Sequence, residues 1–554
     1  MTRLEIALAL REIGELLLAV GENPYRARAY LRGAEILERL DADLGVLIEE
    51  DRLTDVPGLG SALAALIAEL AATGRSALLT SLRSRLPPGV LELRRVPGLT
   101  VRRIAALHDA LGISSLGELQ AACEAGRVRE VKGFGEKTER KILAAIAASS
   151  ERSSTALLHR ATVWGELLLE HVRASPAVTR AEIAGDLRRG TETIARLDIV
   201  AASAEPASAL EHFLKSPLAA RTLERGAAHA SVVLAPGLPA TLWIAHPSGF
   251  GSALVLRTGS PAHVARLDGL GGRPWSEERE LYRSLGLPPI PPELRENEGE
   301  IEAARAGELP DDLLTSSDLM GFVHCHTTYS DGKARLEQMV RGAEALGAGF
   351  ITITDHSASA YYAHGLSIDR LEAQWDEIAR LQEKTAVRIL RGTEADILAD
   401  GSLDYPDSVL ERMDVVIASI HSRFGMDRDR MTTRLVRALS HPLFKIWGHP
   451  LGRLLERRPP FECRMEEVLD VAASTRTAIE INGDPRRLDL EPRWVRAARE
   501  RGIPLVVGTD AHSVGGFRNA GYGVTMARRG WVRRSEVLNA QSPEVFRRAV
   551  RPAG

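Results

Sequence analysis

The stretch MGFVHCHTTYSDGKARLEQMVRGAEALGAGFITITDH (320–356) decides the fold of the C-terminal part of the chain. A short apolar run, GFVHCH, gives way to an amphipathic helical segment and then to a second apolar run, GFITITDH. Strand, helix and strand in this order make a parallel βα unit, and the alternation continues toward the C-terminus, as in a barrel or a wound sheet. Such layouts display reactive groups at the carboxyl ends of the strands. His324, His326, Asp331, His356, Glu394 (RILRGTEADI), His421 (VVIASIH), His449 (FKIWGHP), Asp510 and His512 (PLVVGTDAH) all fit that place. His-x-His on a strand turns both imidazoles to one face and Cys325 to the other. Any one of these histidines taken alone is more often packed than liganding. Nine such groups, six imidazoles and three carboxylates, in a chain of 15 histidines point to a metal centre. The mix suits Mn²⁺, Zn²⁺ or Fe²⁺ and is too rich in nitrogen for a pure Mg²⁺ site. Arg453, and after it Arg486 or Arg487, are candidates for a bidentate grip on phosphate, with surface salt bridges as the plain alternative. His364 and His441 fall outside the set.

Upstream, residues 270–315 are rich in Pro and Glu and read as a connecting arm with one short helix. Residues 151 to about 240 carry short apolar runs, AEIAG, LDIVAAS, ASVVLA and TLWIAH, separated by turns, and read as a small α+β unit. Residues 1–150 have helical spacing and few β-branched runs, with 20 basic and 20 acidic residues, and read as all-helical. The whole chain has 554 residues, 44% hydrophobic and 26% charged, with a net charge of −3. That size implies three to four domains and excludes a disordered or fibrous protein. No window approaches 18 uncharged apolar residues, so no membrane partner is expected. The start, MTRLEIALALREIGELLLAV, is broken by Glu5, Arg11, Glu12 and Glu15 and reads as an amphipathic helix, not a signal peptide. Three scattered cysteines give no disulfide framework and suit a reducing cytoplasm. Near-neutral charge excludes nucleic-acid binding by bulk electrostatics, but not by local backbone contacts.

Three segments of the helical part share one design: VPGLGSALAALI (56–67), VPGLTVRRIAAL (96–107) and VKGFGEKTERKI (131–142). An apolar residue precedes a Gly-x-Gly turn that opens a helix. Glycine lets the backbone bend and lets a phosphate approach, and the free N–H groups of the helix start face it. The element resembles the helix-hairpin-helix, which holds the DNA backbone without reading sequence. Gly58, Gly60, Gly98, Gly133, Gly135 and Lys137 are the candidate DNA contacts. Thr100 replaces the second glycine of the middle copy and weakens it. Plain helix-to-helix turns are the alternative.

ENPYRARAYLRGAEIL (22–37), GDLRRGTET (185–193), TGS (258–260) and LGLPPIPPELRE (285–296), taken with the histidine set, resemble a bacterial family X DNA polymerase with a C-terminal PHP (polymerase and histidinol phosphatase) domain, over essentially the whole chain. The resemblance implies a multidomain protein. Residues 1–88 would form a helical DNA-binding domain and 89–150 a helical fingers-like domain, both all-α with helix-hairpin-helix elements. Residues 151–240 would form an α+β nucleotidyltransferase-like palm, 241–316 a thumb-like segment and linker, and 317–554 an α/β PHP phosphoesterase domain, a distorted β/α barrel. It also implies three divalent metals held by the nine residues named above, with Glu394 and Asp510 as bridges.

The same resemblance exposes a loss. The family holds its two polymerase metals with Asp-x-Asp and a third Asp on a neighbouring strand. Here the first aspartate is Arg196, only Asp198 remains, and the third position, counted back from Gly-Phe-Gly at 249–251, falls on Thr241. The phosphate-binding serine of the motif is Asp186, ahead of Arg188 and Arg189, and the aromatic pair before TGS is Leu256 and Arg257. A cation at 196 repels a metal and pairs more readily with Asp198, which argues against Mg²⁺ in this palm. Glu192 or Asp186 could offer metal ligands in another geometry. Lysines that some members use as Schiff-base nucleophiles are Ala62 and Leu66 here, so no lyase chemistry is expected there. The reading is a metal-dependent 3′-5′ exonuclease or 3′-end phosphoesterase for DNA repair, acting on gapped or nicked DNA or 3′ ends in the bacterial cytoplasm at the nucleoid. Its palm would be a degenerate scaffold. The rivals are an active gap-filling polymerase, a small-molecule phosphatase of the histidinol-phosphatase type, and a non-catalytic DNA-end-binding protein.

Overall fold

The computed structural model describes all residues except 2, 39, 41–43, 88, 95, 97, 152–154, 235–236, 268–273 and 553–554. The boundary expected at 88 lies outside the described residues. Helices Arg3–Val20, Pro24–Glu38, Ser61–Thr73, Ala77–Ser84, Val101–Leu111, Leu116–Glu124 and Glu136–Glu151 build the N-terminal part. One apolar cluster runs from Ile6 to Ile146, so the two expected helical domains pack against each other. Among the described residues no single helix is long and apolar enough to cross a membrane.

The central unit, expected as the palm and called so below, is a five-stranded sheet: β1 (Arg180–Ala184), β2 (Leu197–Ala202), β3 (Ala219–Arg225), β4 (His229–Leu234) and β5 (Pro239–Ala245), in the order β1-β2-β5-β4-β3. Helix Leu158–Arg173 shares the large core with one face, and Phe250 and Leu254 of helix Phe250–Thr258 pack on Ala184, Val200 and Ala202. The palm boundary expected at 240 therefore cuts through β5, which pairs with β2 from Leu197–Ala240 to Ala202–Ala245.

The segment expected to be a connecting arm is a folded unit. It has helices Glu278–Ser284 and Glu300–Ala306, and its own core of Val255, Leu281, Tyr282, Ile290, Leu294 and Ile301. Charges fasten it to the palm. Glu278 accepts two hydrogen bonds from Arg188 (2.8 and 2.7 Å) and one from the buried Arg295 (2.7 Å). Burial alone would raise the Glu278 carboxyl, but Arg188 and Arg295 hold it down at about 2. A carboxylate depressed on folding stabilises above its unfolded pKa, and that stability is lost as pH falls through the folded value. Its side chain is 19% exposed, so the contribution reaches up to about 3 kcal/mol. Glu278→Gln should lower the melting temperature at pH 7 and flatten the loss of stability between about pH 4.5 and 2; thermal melts across that range test it, and superimposable curves would refute it.

The C-terminal domain is a closed parallel barrel of seven strands: β6 (Gly321–Cys325), β7 (Phe350–Ile353), β8 (Arg388–Asp396), β9 (Val415–Ser419), β10 (Ile446–Trp447), β11 (Ala478–Asn482) and β12 (Leu505–Ala511). Neighbours in sequence are neighbours in the barrel, and β12 closes on β6. Parallel strands covered on both faces read as continuous apolar runs, and every residue of β9 and β12 is buried. Phe546 and Val550 of the last helix pack with Val323, Phe350, Leu390 and Val415.

Candidate metal centre

All nine expected ligands meet at one end of this barrel. Their side-chain nitrogen and oxygen atoms fall into four groups, each within 4.8 Å: His324, His326 and Asp510; His324, Glu394 and His449; His356, Glu394 and His421; and His326, Asp331, His356 and His512. Glu394 joins two groups through its two oxygens. Its Oε1 lies 2.7 Å from His449 Nε2, 3.2 Å from His421 Nε2 and 3.3 Å from His324 Nε2, and its Oε2 lies 2.9 Å from His356 Nδ1. Asp510 Oδ1 lies 3.4 Å from His326 Nε2 and 3.9 Å from His324 Nε2. Asp331 Oδ1 stands 3.2 Å from His512 Nε2 and 3.6 Å from His356 Nε2.

These atoms do not satisfy one another. His324 Nε2, His326 Nδ1 and Nε2, His356 Nδ1, His421 Nε2, His449 Nδ1 and both Glu394 oxygens are buried without a hydrogen-bond partner. An unpaired buried polar group costs several kcal/mol. Two ligands about 2.1 Å from a tetrahedral cation stand about 3.4 Å apart, and most of the spacings above fall near that value. The donor set therefore fits divalent cations bound among the residues. Burial, with the imidazoles of His512 and His356, pushes His326 down to about 3, which leaves its ring neutral with a lone pair to donate. Burial would raise Glu394, but His421, His324, His356 and His449 hold it well below the usual carboxylate range.

The backbone reaches this arrangement by a route the strand pattern does not reveal. His324 (φ 65°), His449 (φ 25°) and Asp510 (φ 48°) take left-handed backbone, and the β6 register shifts between Phe322 and Cys325. Simple alternation thus does not account for His-x-His, although both rings do converge, with centroids 5.2 Å apart. Such conformations cost about 1–3 kcal/mol each and persist where the surroundings hold them. Cys325 is buried in the core.

Carboxylates that the sequence reading passed over hold the ligands in place. His324 Nδ1–H donates to Glu480 Oε1 (2.6 Å), and the His449 backbone N–H donates to Glu480 Oε2 (2.6 Å). His421 Nδ1–H donates to Asp396 (2.5 Å). Both contacts leave Nε2 directed at Glu394. Asp355 accepts from the Thr327 and Ser330 backbone N–H groups (2.8 and 3.2 Å) and so shapes the loop that carries Asp331. Asn482 Nδ2 donates to Asp510 Oδ2 (3.4 Å). A carboxylate inside an apolar strand, as in AIEIN (478–482), is the signal that could have found Glu480. Glu480→Gln is expected to weaken metal affinity about 10- to 100-fold, read by calorimetric metal titration; unchanged affinity would contradict this role.

Arg453 is not a phosphate grip. It is buried in contacts of its own: Nε donates to the Arg487 carbonyl (2.8 Å), Nη1 to Glu491 (3.1 Å), and Nη2 to the Leu488 carbonyl and to Glu192 of the palm (3.3 Å). Arg487 stands against the centre instead. Its Nε lies 3.2 Å from Asp510 Oδ2, its side chain is 16% exposed, and its Nη1 is buried without a partner. Arg486 is tied to Asp484 (2.6 Å).

The polymerase positions form a different constellation. Asp198 is buried and accepts two hydrogen bonds from Arg196 Nε (3.0 Å each) and one from Trp243 Nε1 (2.8 Å). Thr241 stands opposite Asp198 in the β2–β5 register, and its hydroxyl is hydrogen-bonded to Ser231 (2.9 Å). Asp186 accepts from Arg189 (2.5 Å), which also reaches Glu296 and the Thr258 carbonyl. Arg257 lies 3.4 Å over the Trp243 ring. Glu192 accepts from Arg453 of the barrel domain (3.3 Å).

In the three hairpins Gly58, Gly98 and Gly133 take φ of +96°, +88° and +92°, which glycine alone adopts freely. Leu59, Leu99 and Phe134 between the turn positions are buried anchors, while the flanking glycines and Lys137 are exposed. Gly60, Gly98, Gly133 and Gly135 have no atom within 4 Å of where a Cβ would stand. Thr100 spends its side chain on the Arg103 N–H, filling the helix start that Gly60 leaves uncapped.

Known proteins bear on this architecture. The helix-hairpin-helix domain family matches residues 1–76, the SAM-like helix-hairpin-helix tandem family 90–148, and the PHP domain family 323–484. The DNA polymerase/3′-5′ exonuclease PolX of Bacillus subtilis (strain 168) is 34% identical over 98% of this chain and 98% of its own. The chain belongs to the PolX family. Its PHP part is also similar to a protein named "Probable phosphatase" from Caldicellulosiruptor bescii, 31% identical over 34% of this chain and 78% of that protein. A third relative, "Probable phosphatase Teth39_0577" of Thermoanaerobacter pseudethanolicus, is 32% identical over 36% of this chain and 82% of its own. Within PolX architecture, the PHP barrel, its divalent-metal donor set and DNA-binding helical hairpins thus occur in one chain.

Proposed function

We propose that this PolX-family protein trims DNA 3′ ends by metal-dependent phosphodiester hydrolysis at the barrel, and that its palm transfers no nucleotides. The observation that carries this reading is the convergence of unpaired buried imidazole nitrogens and carboxylate oxygens at the strand ends. The four donor groups, which share His324, His326, His356 and Glu394, would together hold three cations. Mn²⁺, Zn²⁺ or Fe²⁺ suits the set. Bound metals supply a hydroxide near neutral pH and offset charge on the phosphoryl oxygens and the departing alkoxide. Around them, Arg487 offers an unpaired N–H to a phosphate oxygen, and Asp510 orients that guanidinium. Asp396 and Glu480 keep Nδ1 of His421 and His324 protonated, so that Nε2 remains the donor.

DNA would be delivered by the first and third hairpins, whose open glycine turns take phosphate without regard to sequence. Gapped, nicked or frayed 3′ ends in the bacterial nucleoid are the substrates this suits. The relatives named phosphatases favour a second activity at the same centre, removal of a terminal 3′-phosphate. The deciding experiment is one tube: protein, a 5′-labelled primer on a gapped template, Mn²⁺ and all four nucleotides. The label should shorten. EDTA, or His324→Ala with His326→Ala, should stop it. Lengthening of the label would overturn the palm reading, and no change in any lane would overturn the nuclease reading.

A further inference from the structure

A pair of tyrosines stands out beside the metal centre. Tyr361 is 84% exposed and Tyr362 60% exposed, and Tyr361 is the most exposed large apolar side chain among the described residues. Their rings lie 6.4 Å apart at 75°. The Tyr362 ring lies 6.4 Å from those of both His356 and His421, two of the candidate ligands.

The segment that carries them is anchored and offers the rings to solvent. Ala360, Ala363 and Leu366 are buried, and a Cβ on Gly365 would collide with the Ser357 carbonyl. The Ser359 N–H donates to Asp404 (2.8 Å), and Ser359 Oγ donates to Asp396 (3.0 Å), the carboxylate that also holds His421. Arg370 donates to the His364 and Gly365 carbonyls. The segment carrying the tyrosines is therefore tied to the same carboxylate that orients a candidate ligand. Arg487 and Arg458 lie within electrostatic reach of Tyr362, and Arg458 sits 3.7 Å over the Phe424 ring. Two exposed rings beside two candidate metal ligands, with two guanidinium groups in electrostatic reach of Tyr362, match a ligand with a flat apolar face and a phosphate backbone.

We propose that Tyr361 and Tyr362 form a stacking platform for the unpaired 3′-terminal base of the strand being trimmed. The inference rests on the nuclease reading above, to which it adds a substrate subsite: the centre takes ends whose last base is free to leave the duplex. A paired terminal base is already stacked in its helix and gains nothing from the rings.

The test uses two single-stranded oligonucleotides. One ends in 2-aminopurine, and the other ends in a base-free tetrahydrofuran nucleotide. With Ca²⁺, binding to the wild type should quench 2-aminopurine fluorescence. Tyr361→Ala with Tyr362→Ala should restore it, and Tyr362→Phe should keep the quench. With Mn²⁺, wild-type kcat/KM should favour the base-bearing end by about tenfold or more, and the double variant should bring that ratio near one. A quench that survives in the double variant, or equal loss on both substrates, overturns the platform. Quenching without hydrolysis by the wild type would leave the platform standing and remove the nuclease reading. Hydrolysis without quenching would do the reverse.

Discussion

Glu394→Ala should lower 3′-end hydrolysis on the order of 10³-fold or more, to the level of the chelated protein. Among the described residues, Glu394 is the one carboxylate whose oxygens face His324, His326, His356, His421 and His449 together, at 2.7–3.7 Å. Removing it takes a ligand from two cation positions at once and leaves the facing imidazoles with less opposing charge. Metal content measured by elemental analysis should fall in step, while duplex binding through the hairpins should persist, because those loops lie in the separate N-terminal core. Retention of more than a tenth of the activity with full metal content would exclude Glu394 as a ligand.

The second large effect is an absence of product. In a background of His324→Ala with His326→Ala, where trimming cannot mask synthesis, a gapped primer should gain no nucleotide with Mg²⁺ or Mn²⁺. Asp198 already accepts from Arg196 and Trp243, and the Arg196 guanidinium paired with it repels a cation. Arg196→Asp alone should not restore synthesis, because Thr241 still leaves the neighbouring strand without a carboxylate. Arg196→Asp with Thr241→Asp would put three carboxylates on adjacent strands, the arrangement that two-metal transfer requires. One nucleotide added by the unaltered palm would refute this account.

Particular residues show where the sequence could be read. The nine donor positions were legible because all but Asp331 end or follow apolar runs, and a parallel barrel puts the ends of such runs together. The hairpin glycines were legible because a turn with φ near +90° restricts residue type locally. Arg196 and Thr241, where the family resemblance expects carboxylates, were legible because Asp-x-Asp spacing follows the two-residue repeat of a strand. Other features were not. The link between the palm and the PHP barrel looked like a loose arm from its Pro and Glu content, yet it folds around Tyr282 and the buried Arg295. The boundary expected at 240 fell inside β5, although TLWIAH reads as a run of the same unit, because a run's alternation marks a strand without marking where its sheet ends.

The sequence alone therefore determined the kinds of groups present and their order: a hairpin-rich helical front, a central α/β unit with Arg196 and Thr241 where carboxylates are expected, and a barrel edged with imidazoles. Those features depend on local periodicity and on backbone conformations that single residues impose. Only the tertiary structure decided which charges meet. Glu480 reaches His324 across 156 residues, and Arg453 reaches Glu192 across 261. The same packing turned Arg487 toward the centre in place of Arg453, and left two tyrosines facing solvent beside it. A charged or aromatic side chain takes its role from what folding places opposite it, and no local pattern encodes that partner.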